Sequence, residues 1–100
     1  LDGNPVYDAP ADLDFGGALA QVPFRVHLAH TEDETSLLCD WHVPRTHFLE
    51  TWSDARAEDG TASIVQPLIA PLHQSRSDHE LVAALLGRAQ ESVHETVRET

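Results

Sequence analysis

The chain has 100 residues, a formal net charge of −11 and 41% hydrophobic residues, so it can form one small domain with a modest core. All six basic residues are arginine, and so acidic a surface repels nucleic acids and anionic membranes; no apolar run is long enough for direct membrane insertion. A single cysteine, Cys39, excludes an internal disulfide and any four-cysteine iron–sulfur or zinc site within the chain.

Residues 1–10 have the composition of a turn and form a loop of the type that binds ligands. Gly3 permits a positive φ, Asn4 tolerates one, and Pro5 fixes its own φ. In an α/β sheet such a loop follows a strand and precedes a helix, where backbone amides can meet a phosphate or a dinucleotide. A plain tight turn is the alternative. We expect the preceding strand to lie just before Leu1, and the open sheet edge to leave the isolated chain marginally stable or self-associating.

The middle of the chain predicts a helix, a strand, a helix and a strand in succession. Acidic residues at its front favour the first helix, although two adjacent glycines weaken it. Alternation of apolar and polar residues indicates the first strand, and the Thr31–Glu34 capping box opens the second helix. The predicted ranges are 11–21, 23–28, 32–39 and 41–43.

The last third of the chain predicts one strand and one long helix. Residues 45–60 are expected to be irregular, and residues 61–67 form a β-like run that Pro67 stops. A capping box of Ser77 and Glu80 opens a helix with an apolar stripe, expected over residues 77–97 with a possible break at Gly87. The stripe either packs on the chain's own sheet or forms an exposed seam.

This order of elements favours an α/β fold with a short parallel sheet and covering helices. We predict a single α/β domain over residues 1–100 that is a fragment of a larger subunit. Within it, residues 1–10 are the ligand-type loop and residues 73–100 are the C-terminal helix region.

Five side chains of metal-ligand type fall within twelve residues: Cys39, Asp40, His42, His47 and Glu50. Zinc accepts such a mixture, but the spacings match no common zinc pattern, and a buried cysteine is more often a small core residue. We therefore predict no metal site. A small metal-binding module that uses His42 and His47 remains a hypothesis, which elemental analysis would test.

Three stretches of the chain carry a resemblance to a known family. They are Gly3-Asn4-Pro5, residues 33–36 (Asp-Glu-Thr-Ser), and residues 39–44 (Cys-Asp-Trp-His-Val-Pro) with Glu50. They resemble the third domain of the molybdopterin oxidoreductase superfamily, dimethyl sulfoxide reductase type. Its approximate pattern is Gly-x-Asn-Pro, Glu-Thr-Ala, Ala-Asp-Val-Val-Leu-Pro and Glu. Residues 4–12, 49–56 and 63–69 are most similar to the large molybdopterin-oxidoreductase-like, iron–sulfur subunit of alternative complex III.

The resemblance implies a Rossmann-like, three-layer α/β fragment of a subunit that passes electrons from quinol towards a cytochrome or oxidase. It implies a parent on the periplasmic side of the bacterial inner membrane. The partners would be the parent's remaining domains and the other subunits of a respiratory complex. In relatives that carry it, molybdopterin guanine dinucleotide lies near the equivalent loops. The resemblance therefore assigns six cofactor-binding residues: Gly3, Asn4, Pro5, Glu34, Thr35 and Asp40.

This chain also departs from the family pattern. Trp41 and His42 replace an aliphatic pair, and the stretch after Glu50 lacks the family's Gly-Arg loop. The alternative complex III branch is thought to have lost the molybdenum cofactor. We therefore expect a structural domain with no catalytic residue and no cofactor of its own, in a parent whose iron–sulfur clusters lie elsewhere. The alternative is the molybdopterin guanine dinucleotide-binding domain of a true molybdenum oxidoreductase.

Overall fold

The computed structural model describes residues 2–99 and divides the chain into two compact units. The N-terminal unit is Leu1–Arg45 and the C-terminal unit is Thr46–Thr100. One short parallel sheet, one small antiparallel sheet and several helices give a mixed α/β fragment, which confirms the predicted fold class. Among residues 2–99, no helix is both long enough and apolar enough to cross a membrane. The predicted single-domain boundaries stay a prediction.

The N-terminal unit is built on two parallel strands. Residue pairs Val26–Trp41 and Leu28–Val43 set the register of the two strands. The centre of the first strand is buried, and Leu28 is 1% exposed. The elements are α1 (Pro5–Asp8), a 3-10 turn (Ala11–Leu13), α2 (Phe15–Ala20), β1 (Val26–Ala29), α3 (Glu34–Leu37) and β2 (Trp41–Pro44).

The N-terminal helices are shorter than predicted, and α1 was not predicted at all. The helix expected over residues 11–21 is interrupted at Asp14, which has a φ of +41° and caps α2 by accepting a hydrogen bond from the amide of Gly17. The helix expected over residues 32–39 is confined to α3. Its capping box joins Asp33 to Ser36, not Thr31 to Glu34. The aspartate one residue before Glu34 is the better N-cap because its carboxylate reaches the amide of Ser36 at 2.8 Å.

Both edges of β1 accept backbone hydrogen bonds near the carboxyl end of the strand. The amide of Arg45 donates to the carbonyl of Ala29 on the side of β2, at 3.0 Å. Carbonyls of successive strand residues point to opposite edges, so the carbonyl of Leu28 faces away from β2. It accepts a hydrogen bond from the amide of Asp2 at 2.7 Å. The strand that we predict before Leu1 lies outside the described residues.

The C-terminal unit contains a β-hairpin and two helices: β3 (Ser53–Arg56), β4 (Ala62–Val65), α4 (Asp78–Leu85) and α5 (Val93–Glu99). The expectation of irregular structure over residues 45–60 is wrong at β3, which pairs antiparallel with β4. The five-residue connection around Gly60, whose φ is +86°, is too short for the crossover that parallel strands require. The β-like run over residues 61–67, which contains β4, therefore forms a hairpin with β3 and does not extend the parallel sheet.

The predicted helix over residues 77–97 is two helices. Its start is confirmed, because Ser77 and Glu80 form a reciprocal capping box. Gly87, at a φ of +76°, ends α4. Its amide donates to the carbonyl of Ala84, and the next amide, of Arg88, donates to the carbonyl of Ala83 at 2.8 Å. This pair of bonds is a Schellman motif, which stops a helix at a left-handed glycine.

Candidate functional site

The loop before α1 turns sharply beside the carboxyl end of β1. Asp2 and Gly3 both adopt positive φ, of 53° and 88°. A Cβ added to Gly3 would meet nothing within 4 Å, so the backbone conformation, and not crowding, favours glycine there. Pro5 then occupies the first helical position of α1, where its missing amide costs nothing.

Asn4 is the centre of the hydrogen bonds in this loop. Its Oδ1 accepts from the hydroxyl of Thr35 at 2.8 Å and from the amide of Thr35 at 3.3 Å. Its Nδ2 donates to Oε2 of Glu34 at 2.5 Å. The Thr35 hydroxyl in turn accepts from the amide of Val6 at 3.1 Å. Asn4 and Thr35 therefore tie the start of α1 to the first turn of α3, and we call Asn4, Glu34 and Thr35 the Asn4 cluster.

Asp40 lies at the opposite end of β1 from the Asn4 cluster. Its carboxylate accepts from the amide of Arg25 at 2.8 Å and from Nε of Arg25 at 3.3 Å. The hydrogen bonds from the side chain and then the backbone of Arg25 hold the pKa of Asp40 below its usual value. The structure thus brings five of the six predicted cofactor residues together. It engages the sixth, Asp40, in an ion pair with Arg25 just before β1; its predicted role in cofactor binding remains untested.

The Asn4 cluster does not fit the phosphates of a dinucleotide. Both lone pairs of the Asn4 carbonyl oxygen are occupied, and one of the two hydrogens on its Nδ2 is donated to a carboxylate. Glu34 is acidic, and so are Asp2 in the loop and Asp33 at the N-cap of α3. Arg45 pairs with Asp2 of this loop at 2.5 Å. The side chains of the cluster therefore hold the loop in place. A pyrophosphate bound here would face the negative charges of these carboxylates.

The side chains of metal-ligand type are not assembled into a site. Within residues 2–99, no group of three or more histidine, cysteine, aspartate or glutamate side chains is placed to hold a metal ion. Glu50 accepts hydrogen bonds from the amide of His47 at 2.8 Å and from the amide of Leu72 at 3.1 Å, which fastens two loops of the C-terminal unit. Cys39 is half-buried, and burial raises the pKa of its thiol.

Sequence reasoning missed a pair of histidines next to the Asn4 cluster. His27 is 5% exposed, and its Nδ1 lies 3.3 Å from Nδ1 of His42, its register partner on β2. The alternating pattern of residues 23–28 indicated a strand and did not mark His27 as buried. A strand in a parallel sheet is covered on both faces, and this signal could have marked His27 as buried.

The fold and this loop define a small α/β fragment whose first loop is held by hydrogen bonds between its own side chains and α3. No family model matches the chain. The chain is 33% identical over 91 residues to the menaquinone reductase, molybdopterin-binding-like subunit of Nitratidesulfovibrio vulgaris (strain Hildenborough). The match takes in 87% of this chain but only 13% of that relative. This similarity supports a molybdopterin-oxidoreductase-like family, which is a broader group than the alternative complex III branch.

Proposed function

We propose that the chain is a structural α/β domain of a molybdopterin-oxidoreductase-like subunit in a respiratory electron-transfer complex. The observation that carries the proposal is the engagement of the Asn4 side chain, whose Oδ1 accepts two hydrogen bonds from Thr35 and whose Nδ2 donates one to Glu34. The residue that would offer hydrogen bonds to a dinucleotide instead holds α1 to α3. The relative's name, a molybdopterin-binding-like subunit of a menaquinone reductase, supports the choice of complex.

Finer features of the proposal rest on the resemblance of the chain to the alternative complex III subunit. The parent subunit would lie on the periplasmic side of the bacterial inner membrane and contact other subunits of the complex. It would carry iron–sulfur clusters outside this chain, because Cys39 is the only cysteine here. Its electrons would pass from a quinol towards a cytochrome or an oxidase.

Titration calorimetry with GDP tests the structural role. GDP represents the distal half of the pterin dinucleotide, and we expect no saturable heat at millimolar concentration. Glu34→Gln and Asp40→Asn are matched variants, because each removes a carboxylate that could bind a guanine and keeps the size of the side chain. The expected result is no saturable signal in any of the three proteins. The melting curve should be unchanged in Glu34→Gln and slightly lowered in Asp40→Asn, which loses its ion pair with Arg25.

A saturable GDP signal that disappears in Glu34→Gln or Asp40→Asn would contradict the structural role. It would favour the alternative, a domain that binds molybdopterin guanine dinucleotide in a true molybdenum oxidoreductase. Metal analysis of the purified parent subunit provides an independent measurement. We expect iron without stoichiometric molybdenum, whereas one molybdenum atom per subunit would refute the proposal.

A further inference from the structure

The histidine pair joins three parts of the N-terminal unit. His27 on β1 reaches the carbonyl oxygen of Gly3 through Nε2, at 3.2 Å, and His42 on β2 through Nδ1. The same Nδ1 lies 3.7 Å from Oδ1 of Asp33, the residue that caps α3. The loop that carries Asn4 and the helix that carries its partners are therefore both in contact with one buried imidazole.

The hydrogen-bond partners define where the protons must lie. A carbonyl oxygen can only accept, so Nε2 of His27 carries a hydrogen. When His27 is neutral, its Nδ1 is an acceptor, and Nδ1 of His42 must donate to it. One proton then lies between the two Nδ1 atoms. His42 is half-buried, so its Nε2 can take up a further proton without any change in this arrangement.

A second added proton has no place in the pair. Both Nδ1 atoms would then carry hydrogens and face each other at 3.3 Å, and both rings would be cations. Asp33 is close enough to attract one of them, at 3.7 Å. The other nearby charges are Glu34 on α3, which Asn4 engages, and Asp2 on the loop, which Arg45 engages. The repulsion between the two cations favours separation of the rings, and a movement of His27 away from His42 would weaken its contact with the Gly3 carbonyl.

We propose that His27 is the positioning residue of the Asn4 loop, and that the His27–His42 pair makes the attachment of that loop to α3 dependent on pH. The loop is held at neutral pH and released at acidic pH. This inference rests on the geometry of the pair and is independent of any cofactor.

Hydrogen exchange of two amides in the full chain tests the inference. The amide of Thr35 bonds to Asn4, and the amide of Val6 bonds to Thr35, so both report on the attachment of the loop. After correction for intrinsic exchange, their protection should fall about three- to tenfold from neutral to acidic pH, as expected for the loss of one hydrogen bond. Protection that does not change with pH would overturn the inference.

Two variants and one spectroscopic measurement separate a proton switch from general acid loosening. His42→Phe removes the second charge and should abolish the pH dependence, whereas the control His79→Gln on α4 should keep it. His27→Gln should lower protection at every pH and also remove the dependence. Nitrogen-15 shifts at neutral pH should show His27 protonated at Nε2. A dependence that survives in His42→Phe, or His27 protonated only at Nδ1, would refute the mechanism.

Discussion

Replacing Asn4 by alanine measures how much the Asn4 cluster contributes to stability. The change removes Oδ1, which accepts hydrogen bonds from the amide and the hydroxyl of Thr35. Thr35 is buried, with 4% of its surface exposed. Each lost hydrogen bond costs about 1 kcal/mol, and more where a buried donor stays unsatisfied. The bond to the exposed Glu34 adds about 0.5 kcal/mol. We expect Asn4→Ala to lower the free energy of unfolding by about 2–3 kcal/mol, a large part of the stability of a small domain.

Urea unfolding followed by tryptophan fluorescence is the assay. Trp41 lies in β2 of the N-terminal unit, so a Trp52→Phe background confines the signal to that unit. Asn4→Asp keeps an acceptor but sets a second carboxylate against Glu34 and should cost about 1 kcal/mol. The control Glu34→Gln should change stability by less than about 0.5 kcal/mol, as for an exposed side chain. If Asn4→Ala is as stable as the unmodified chain, the amide is not structural and the proposed function fails.

Three further predictions concern the C-terminal unit. Ser77→Ala should lower the free energy of unfolding by about 1–2 kcal/mol, because this N-cap residue is 1% exposed. Ser92 forms the same reciprocal bonds with Glu95 at an exposed position, so Ser92→Ala should cost about 0.5 kcal/mol. Equal losses in thermal unfolding would refute this difference. Thr46→Val should raise stability by about 1 kcal/mol, since the buried hydroxyl of Thr46 has no hydrogen-bond partner, and a loss would show that the hydroxyl is satisfied. The amide of His47, and then that of Leu72, lower the pKa of Glu50, so its stabilisation is complete above the usual value of 4.5 and is lost as the pH falls through the lowered pKa. Glu50→Gln should flatten this acid dependence in urea titrations between pH 5 and about 2, and an unchanged dependence would assign it to other carboxylates.

Local signals in the sequence predicted the helix start at Ser77 because a capping box is a contact between near neighbours. They also marked Gly87 as a possible break, and its left-handed backbone does end α4 although the apolar stripe continues past it. Strand β3, in contrast, was missed. Its sequence, Ser-Asp-Ala-Arg, has no strand pattern of its own, and pairing with β4 makes it a strand.

The candidate site was predicted in part, and that part came from the resemblance to the family and not from the spacing of the residues. Nothing in the spacing of Asn4 and Thr35 indicates contact, because 31 residues separate them. The family pattern placed both near one ligand, and the structure does bring them into hydrogen-bonding contact. The family pattern also grouped Asp40 with them, but in the structure Asp40 accepts a hydrogen bond from Arg25 at the other end of β1. The distinction depends on strand register, which the sequence alone does not set.

Asn4 in the N-terminal unit and Glu50 in the C-terminal unit, both residues of the family pattern, have the same structural role. Oδ1 of Asn4 accepts from the amide of Thr35, and the carboxylate of Glu50 accepts from the amide of Leu72, 22 residues further along the chain. Each side chain thus satisfies a backbone donor of a distant segment, a requirement of the fold whether or not a cofactor is bound. Similarity at these positions therefore indicates a shared fold more strongly than shared ligand binding. Any ligand site in this chain has to use groups that the fold leaves available, and Oδ1 of Asn4, which already accepts two hydrogen bonds, is not one of them.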